Sequence, residues 1–263
     1  MKSSWWDEKS GFFGDFYFQG DNSLGGHLIK KKLSLTERTI QEVNGLVDLL
    51  DLKEPKTILD VPCGYGRHSI ELSKNGHNVT GVDINDNFLK KAREKADLEE
   101  VGTLFLKKNM LSLNYKNEFD IVINMFFSFG FFESDKLNLM VLKNFYDALK
   151  NNGIFLMHTD VNTERIEKGT YKTIESRNLS CGGVLHIKEA FAPNLKRING
   201  SWTIISNGQT TSRPYSVRVY DENEFKNMCL EVGFESCISY GSWSGEDYSD
   251  ESEEIIFIAK KGV

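Results

Sequence analysis

What this chain has little of narrows it quickly. Its 263 residues include only four cysteines, Cys63, Cys181, Cys229 and Cys237, with no CxxC pair and no metal-ligand spacing. A zinc centre or a disulfide framework is therefore not expected to organise the fold; no metal is expected, and a reducing cytoplasmic compartment is. No long basic run occurs. The densest cluster, Lys30-Lys31-Lys32, reads as a solvated patch within a formal net charge of -6. Such a surface repels a polyphosphate, so nucleic acid is not an expected partner and a small molecule is. No apolar run approaches the ~20 residues a membrane span needs, so no membrane association is expected. The aromatic and acidic start, Trp5-Trp6-Asp7-Glu8, lacks the basic-then-apolar order of a signal peptide.

What remains has the composition of a globular chain, with 40% hydrophobic and 27% charged residues. Val43, Leu46, Val47, Leu49 and Leu50 recur at helical spacing before Pro55. Thr57–Val61 and His77–Val82 are short apolar strands, separated by a helix from Arg67 that Gly76 ends. A helix over 85–97, strands over 103–107 and 119–125, a helix over 135–150 and a strand over 154–158 continue the alternation. Strands alternating with helices in this way predict a doubly wound, mostly parallel α/β sheet.

From about residue 170 to 220 the helical period disappears. Alternating runs such as Val184-Leu185-His186-Ile187 and Ser216-Val217-Arg218-Val219-Tyr220 predict an antiparallel insertion of three or four strands. Asn199-Gly200 and Asn207-Gly208 are its expected hairpin turns. Four segments follow: an aromatic N-terminal lid over 1–35, an α/β core over 36–160, the insertion over 161–220, and a helix-strand completion of the core over 221–263.

The chemistry is concentrated where Asp60-Val61-Pro62-Cys63-Gly64-Tyr65-Gly66 is answered by Asp83 at the end of the second strand. A dinucleotide fold wants G-x-G-x-x-G, but Arg67-His68-Ser69 follows Gly66, so the third glycine is absent. No Gly-Lys-Ser/Thr ends the turn, which excludes a P-loop. Asp60 would repel a pyrophosphate and attract an ammonium. Asp83 stands where a carboxylate can accept both ribose hydroxyls.

Over roughly residues 36–160 these features resemble the class I S-adenosylmethionine-dependent methyltransferases, with their Rossmann-like sheet of seven strands. The resemblance implies S-adenosyl-L-methionine as cofactor and S-adenosyl-L-homocysteine as product. It places Gly64 and Gly66 under the methionyl part and Asp83 at the ribose, with Ile84 on the adenine; Asp60 and Cys63 of the same turn are further cofactor-binding candidates. Asn109 and Met110 take the adenine amine and ring, Asn109 standing where the family often has Asp. Asn124 or Met125 presents a backbone carbonyl to the methionyl ammonium. The insertion after strand five, with the Met125-Phe126-Phe127-Ser128-Phe129-Gly130 segment, is similar to a small-molecule subgroup that includes amino-sugar N-methyltransferases. In that subgroup some members dimerise through such strands, so a homodimer is a further expectation.

The expected reaction is methyl transfer to a small-molecule acceptor, an amine nitrogen favoured over a hydroxyl. His158, at the end of strand five, is the candidate base, with a hydrogen-bonded core histidine as the competing reading. Tyr17, Phe129, Arg213, Tyr215 and Arg218 are candidates for the acceptor site. Two other readings are a non-catalytic S-adenosylmethionine sensor and an NAD-dependent oxidoreductase. The second rests on a Tyr146…Lys150 spacing with no glycine fingerprint behind it.

Overall fold

A computed structural model describes residues 5–21, 33–126, 128–180 and 182–263. Lys30-Lys31-Lys32, Phe127 and Cys181 lie outside the described residues. Helix α1 (Asp15–Asp21) precedes α2 (Leu35–Leu49), β1 (Thr57–Asp60), α3 (Arg67–Lys74) and β2 (Asn78–Asp83). Then come α4 (Asp86–Leu98), β3 (Leu104–Lys107), β4 (Phe119–Asn124), α5 (Asp135–Ala148) and β5 (Leu149–Thr159). These build a sheet in the order β10-β11-β5-β4-β1-β2-β3, completed by β10 (Phe234–Tyr240) and β11 (Ile255–Lys261). Pairs among β1 to β5 are parallel, while β11 runs antiparallel to both β5 and β10. The apolar run of β4 is explained by its central place: five of its six residues are buried.

Local chemistry sets the helix ends that shape the cleft. Ser34 and Glu37 form a reciprocal capping box at α2, with bonds of 3.2 and 2.7 Å. The Asn85 side chain accepts from the Phe88 amide at 3.1 Å and so starts α4 directly after β2. No helix among the described residues is long and apolar enough to cross a membrane.

The insertion is a separate antiparallel sheet of four strands, β6 (Ile174–Asn178), β7 (Val184–Ala192), β8 (Arg197–Ser206) and β9 (Gln209–Arg218). Short helix α6 (Thr163–Glu167) leads into it, and α7 (Glu222–Val232) returns the chain to the main sheet. Asn207-Gly208 is a two-residue hairpin with both residues at positive φ, joining Ser206 to Gln209. Asn199-Gly200 is not a turn, contrary to the expectation from its sequence. Both residues lie inside β8, opposite Ser216 and Tyr215, and the reversal occurs at Pro193–Lys196. The glycine there answers a packing need, because a Cβ on Gly200 would sit 2.3 Å from Cζ of Tyr215. Helix α5 stops at Ala148, and Asn152-Gly153 is carried within β5 as an irregularity with Asn152 at φ 62°.

Candidate active site

The site forms where β1 and β2 end side by side. Asp60 closes β1, and the turn to α3 needs the left-handed backbone of Gly64 (φ 56°) and Gly66 (φ 78°). Gly66 is also required sterically: an added Cβ would lie 2.7 Å from the Phe105 ring and 2.8 Å from Ala92. Asp83 ties the turn to β2, because one carboxylate oxygen accepts from the Gly64 amide at 2.9 Å. Its other oxygen accepts from the Asn85 amide at 2.8 Å. Each oxygen keeps a further lone pair. Burial pushes Asp83 up to about 6, against the backbone bonds that favour its charged form. Asp60 lies deeper, 1% exposed, with one oxygen held by Ser69 at 2.5 Å and the other without a partner. Burial pushes it up to about 7, opposed by Ser69 and Arg67.

Above the turn opens a cleft of about 1080 Å³. Cys63, Gly64, Asp83, Ile84, Asn109, Met110 and Met125 all line it. Asp60, beneath the turn, and Gly66, within it, do not. Asn124 is fully buried behind Met125 and donates to the Val61 carbonyl at 2.7 Å. The Asn109 side chain accepts from the Leu111 amide at 2.9 Å, capping the short helical turn that carries Met110.

Sequence reasoning missed the opposite end of the cleft. Arg38 and Arg67 line it, and both bind one buried carboxylate, Glu42, at 2.6 Å each. The His68 ring nitrogen is 3.0 Å from the same carboxylate. Burial and Arg67 push His68 down to about 4, so it is neutral. Glu42 is pressed upward by burial, but Arg67, His68 and Arg38 hold it well below the usual carboxylate range. Both guanidiniums also lie over the Phe126 ring, at 4.1 and 4.4 Å. The i,i+4 pair Arg38/Glu42 and the arginine after Gly66 were the only signals. Neither says that they meet.

The cleft therefore has a carboxylate at one end and two arginines at the other, paired with Glu42 and with Asp21 nearby, and apolar Ile84, Met110 and Met125 between. S-adenosylmethionine fits that polarity. Asp83 would hold the ribose hydroxyls, and Arg38 and Arg67 the methionyl carboxylate. The unpartnered Asp60 oxygen supplies negative charge beneath the glycine turn, where an ammonium is wanted.

The N-terminal segment covers this cleft. Trp5, Trp6, Phe13, Tyr17 and Asp21 line it. Asn85 donates to the Phe13 carbonyl at 2.7 Å, the Asp86 amide donates to Glu8 at 3.0 Å, and the Tyr65 hydroxyl donates to Asp21. Beyond Tyr17 and Phe126 lies a second chamber of about 1540 Å³ between the two sheets. Phe13, Tyr17, Asp21, Arg38 and Phe126 belong to the walls of both spaces.

The acceptor-side candidates are distributed unevenly. Tyr17 stands in the shared wall, stacked 5.3 Å from Trp202, and Tyr215 lines the second chamber. Phe129 is packed in the core against Tyr220 and Phe225. Arg218 is buried in ion pairs with Glu224 and Asp135 and lines neither space. Arg213 points to the N-terminal segment, donating to the Lys9 carbonyl at 3.3 Å. His158 has no solvent exposure and lines neither space. Its ring is 3.0 Å from Glu254 and packed between Phe126 and Trp243.

Comparison with known proteins completes the picture. Residues 58–153 match a methyltransferase domain. A Geobacillus protein provisionally named a methyltransferase is 26% identical over 214 residues, covering 78% of this chain and 85% of the relative. A glycine/sarcosine N-methyltransferase of Parasynechococcus marenigrum is 27% identical over 220 residues, 78% of this chain and 72% of the relative. In fold the chain is similar to an amino pentose methyltransferase of Micromonospora echinaspora, solved with S-adenosylmethionine bound. The TM-score is 0.64 at 16% identity, over 85% of this chain and 91% of that one. The glycine turn, the carboxylate after β2 and these relatives agree on one activity: residues 58–153 form a methyltransferase domain, and the enzyme is S-adenosylmethionine-dependent.

Proposed function

We propose that this enzyme methylates an amine nitrogen of a small molecule seated in the second chamber. The observation that carries the reading is the shared wall: five residues line both the cofactor cleft and a chamber of aromatic rings in which six carboxylates outnumber the four basic side chains Arg38, Arg165, Lys172 and Arg177. Phe12, Phe131, Trp202 and Tyr215 offer aromatic faces, which attract an ammonium or a sulfonium. Asp160 lines the same chamber, and its carboxylate forms no hydrogen bond or salt bridge with a described residue. A relative of this chain is named as an N-methyltransferase, which agrees with the choice of nitrogen.

Bound S-adenosylmethionine supplies an electrophilic methyl group, whose bond to sulfur breaks, leaving its electron pair there, as the acceptor's nitrogen lone pair forms the new bond. The chain's own task is to deliver that nitrogen unprotonated and dry. Carboxylates of the chamber attract the ammonium and take its proton, which leaves to solvent through accessible Asp160. Phe13, Tyr17 and Phe126 exclude water where the two spaces meet, and positioning supplies the remaining advantage. The test is S-adenosylhomocysteine release with ethanolamine, glycine, glucosamine and benzylamine beside ethylene glycol, glycolate, glucose and benzyl alcohol. Turnover of amines and not of their hydroxyl counterparts is expected. Turnover confined to the hydroxyl compounds would overturn the reading.

A further inference from the structure

The inner face of the second sheet carries charged side chains among its apolar ones, and Glu189 on β7 is the one held by a phenol from across the sheet. Along β7 the inward positions are Leu185, Ile187, Glu189 and Phe191, so a carboxylate interrupts an apolar row. Across the sheet Glu189 stands opposite Gly200, and Gly200 opposite Tyr215. Because Gly200 has no side chain, the Tyr215 ring lies across β8 and its hydroxyl donates to Glu189. The Phe12 ring lies 4.5 Å from that of Tyr215 and closes its other side. Tyr171 lies close to the same carboxylate.

Among the described residues Glu189 forms no salt bridge; Arg177, engaged with Glu175 at 2.8 Å, acts on it only through space. Burial, with Asp160 nearby, raises Glu189 above its ordinary range, against Tyr215, Tyr171 and Arg177, which favour its charged form. An acid and two phenols at an apolar position, with a glycine spent to let one phenol reach, form a built receptor and not a solvated surface group. It lines the chamber together with Ile187 and Trp202, so a bound group meets rings on its flanks.

Resting on the amine reading above, we propose that Glu189, fixed by Tyr215 with Tyr171 beside it, is the residue that seats the acceptor's ammonium and sets the preference for amines. The cation is thus held by one aimed carboxylate among aromatic faces, while the Tyr215 hydroxyl keeps that carboxylate from turning away.

The test uses the protein loaded with S-adenosylhomocysteine and two probes of equal shape, benzylammonium and benzyl alcohol, titrated by calorimetry. Wild type should favour benzylammonium by about tenfold or more, the scale of one charge-assisted contact. Glu189→Gln should abolish that preference and leave benzyl alcohol and S-adenosylhomocysteine affinity unchanged. Glu189→Met, which continues the apolar row, serves the same purpose if the amide variant fails to fold. A preference retained in both variants overturns the assignment of Glu189 while leaving the amine reading intact. Absence of any preference in wild type also overturns it, and the turnover panel then decides the amine reading separately.

Discussion

Glu42 is the sharpest point at which to perturb this enzyme. Its carboxylate is 2% exposed and receives Arg38, Arg67 and His68 at 2.6, 2.6 and 3.0 Å. Glu42→Gln keeps the shape but removes the charge and turns an amide N–H₂ toward groups that are themselves donors. Two guanidiniums are then left buried around a neutral side chain. Breaking a buried pair in this way costs about 3–5 kcal/mol, because the remaining charge keeps its desolvation penalty. Against a net stability of roughly 5–15 kcal/mol this is a large fraction. At about 2–4 °C per kcal/mol for a chain of this size, the melting temperature should fall by roughly 6–20 °C. Urea unfolding at neutral pH should show a lower midpoint with an unchanged slope. The pH dependence has a definite sign. Glu42 is held below its usual 4.5 in the folded state, so its contribution is present above that value and lost as pH falls through the folded one. The gap between wild type and variant should therefore narrow on acidification. A loss of stability under about 1 kcal/mol, the worth of an exposed pair, would refute the reasoning.

Replacing Asp83 with Ala should weaken S-adenosylmethionine binding by about 1.5–3 kcal/mol, the worth of hydrogen bonds to a charged group. Unchanged calorimetric affinity would remove Asp83 from the ribose site. His158→Ala should cost about 1.5–3 kcal/mol of stability through its lost bond to Glu254 and leave turnover of the folded protein nearly unchanged. A collapse of turnover in a well-folded variant would restore His158 as a base. Cofactor affinity should fall as pH drops through about 7 and then about 6, where Asp60 and Asp83 take up protons. For the cofactor-free protein the sign is opposite to that of Glu42: these raised acids hold protons more tightly folded than unfolded, so their contribution weakens as pH rises toward 7. A flat affinity profile in calorimetry would refute the placement of both.

Local patterns determined much of this protein before any coordinate was known. The glycine turn, the acids closing β1 and β2, and the alternation of elements are short-range facts. They place Gly64, Asp83, Ile84, Asn109, Met110 and Met125 around one cleft because βαβ connections bring strand ends together. Asn199-Gly200 shows where local reading fails. The dipeptide favours a turn, but the need to pass the Tyr215 ring across β8 holds Gly200 inside a strand. The same limit applies to function. Arg38 and Glu42 are 29 and 25 residues from Arg67, and Asp160, Glu189 and Tyr215 lie on three separate segments. Their meeting depends on how α2 packs on α3 and how the second sheet folds over the first. His158 was placed correctly on its strand, yet Phe126 and Trp243 decide that it faces the core. Sequence alone pointed to the methyl donor, because the glycine turn and the acids closing β1 and β2 are short-range patterns at adjacent strand ends. Only the tertiary structure decided the second chamber, because its charges and rings are assembled from residues that share no local pattern.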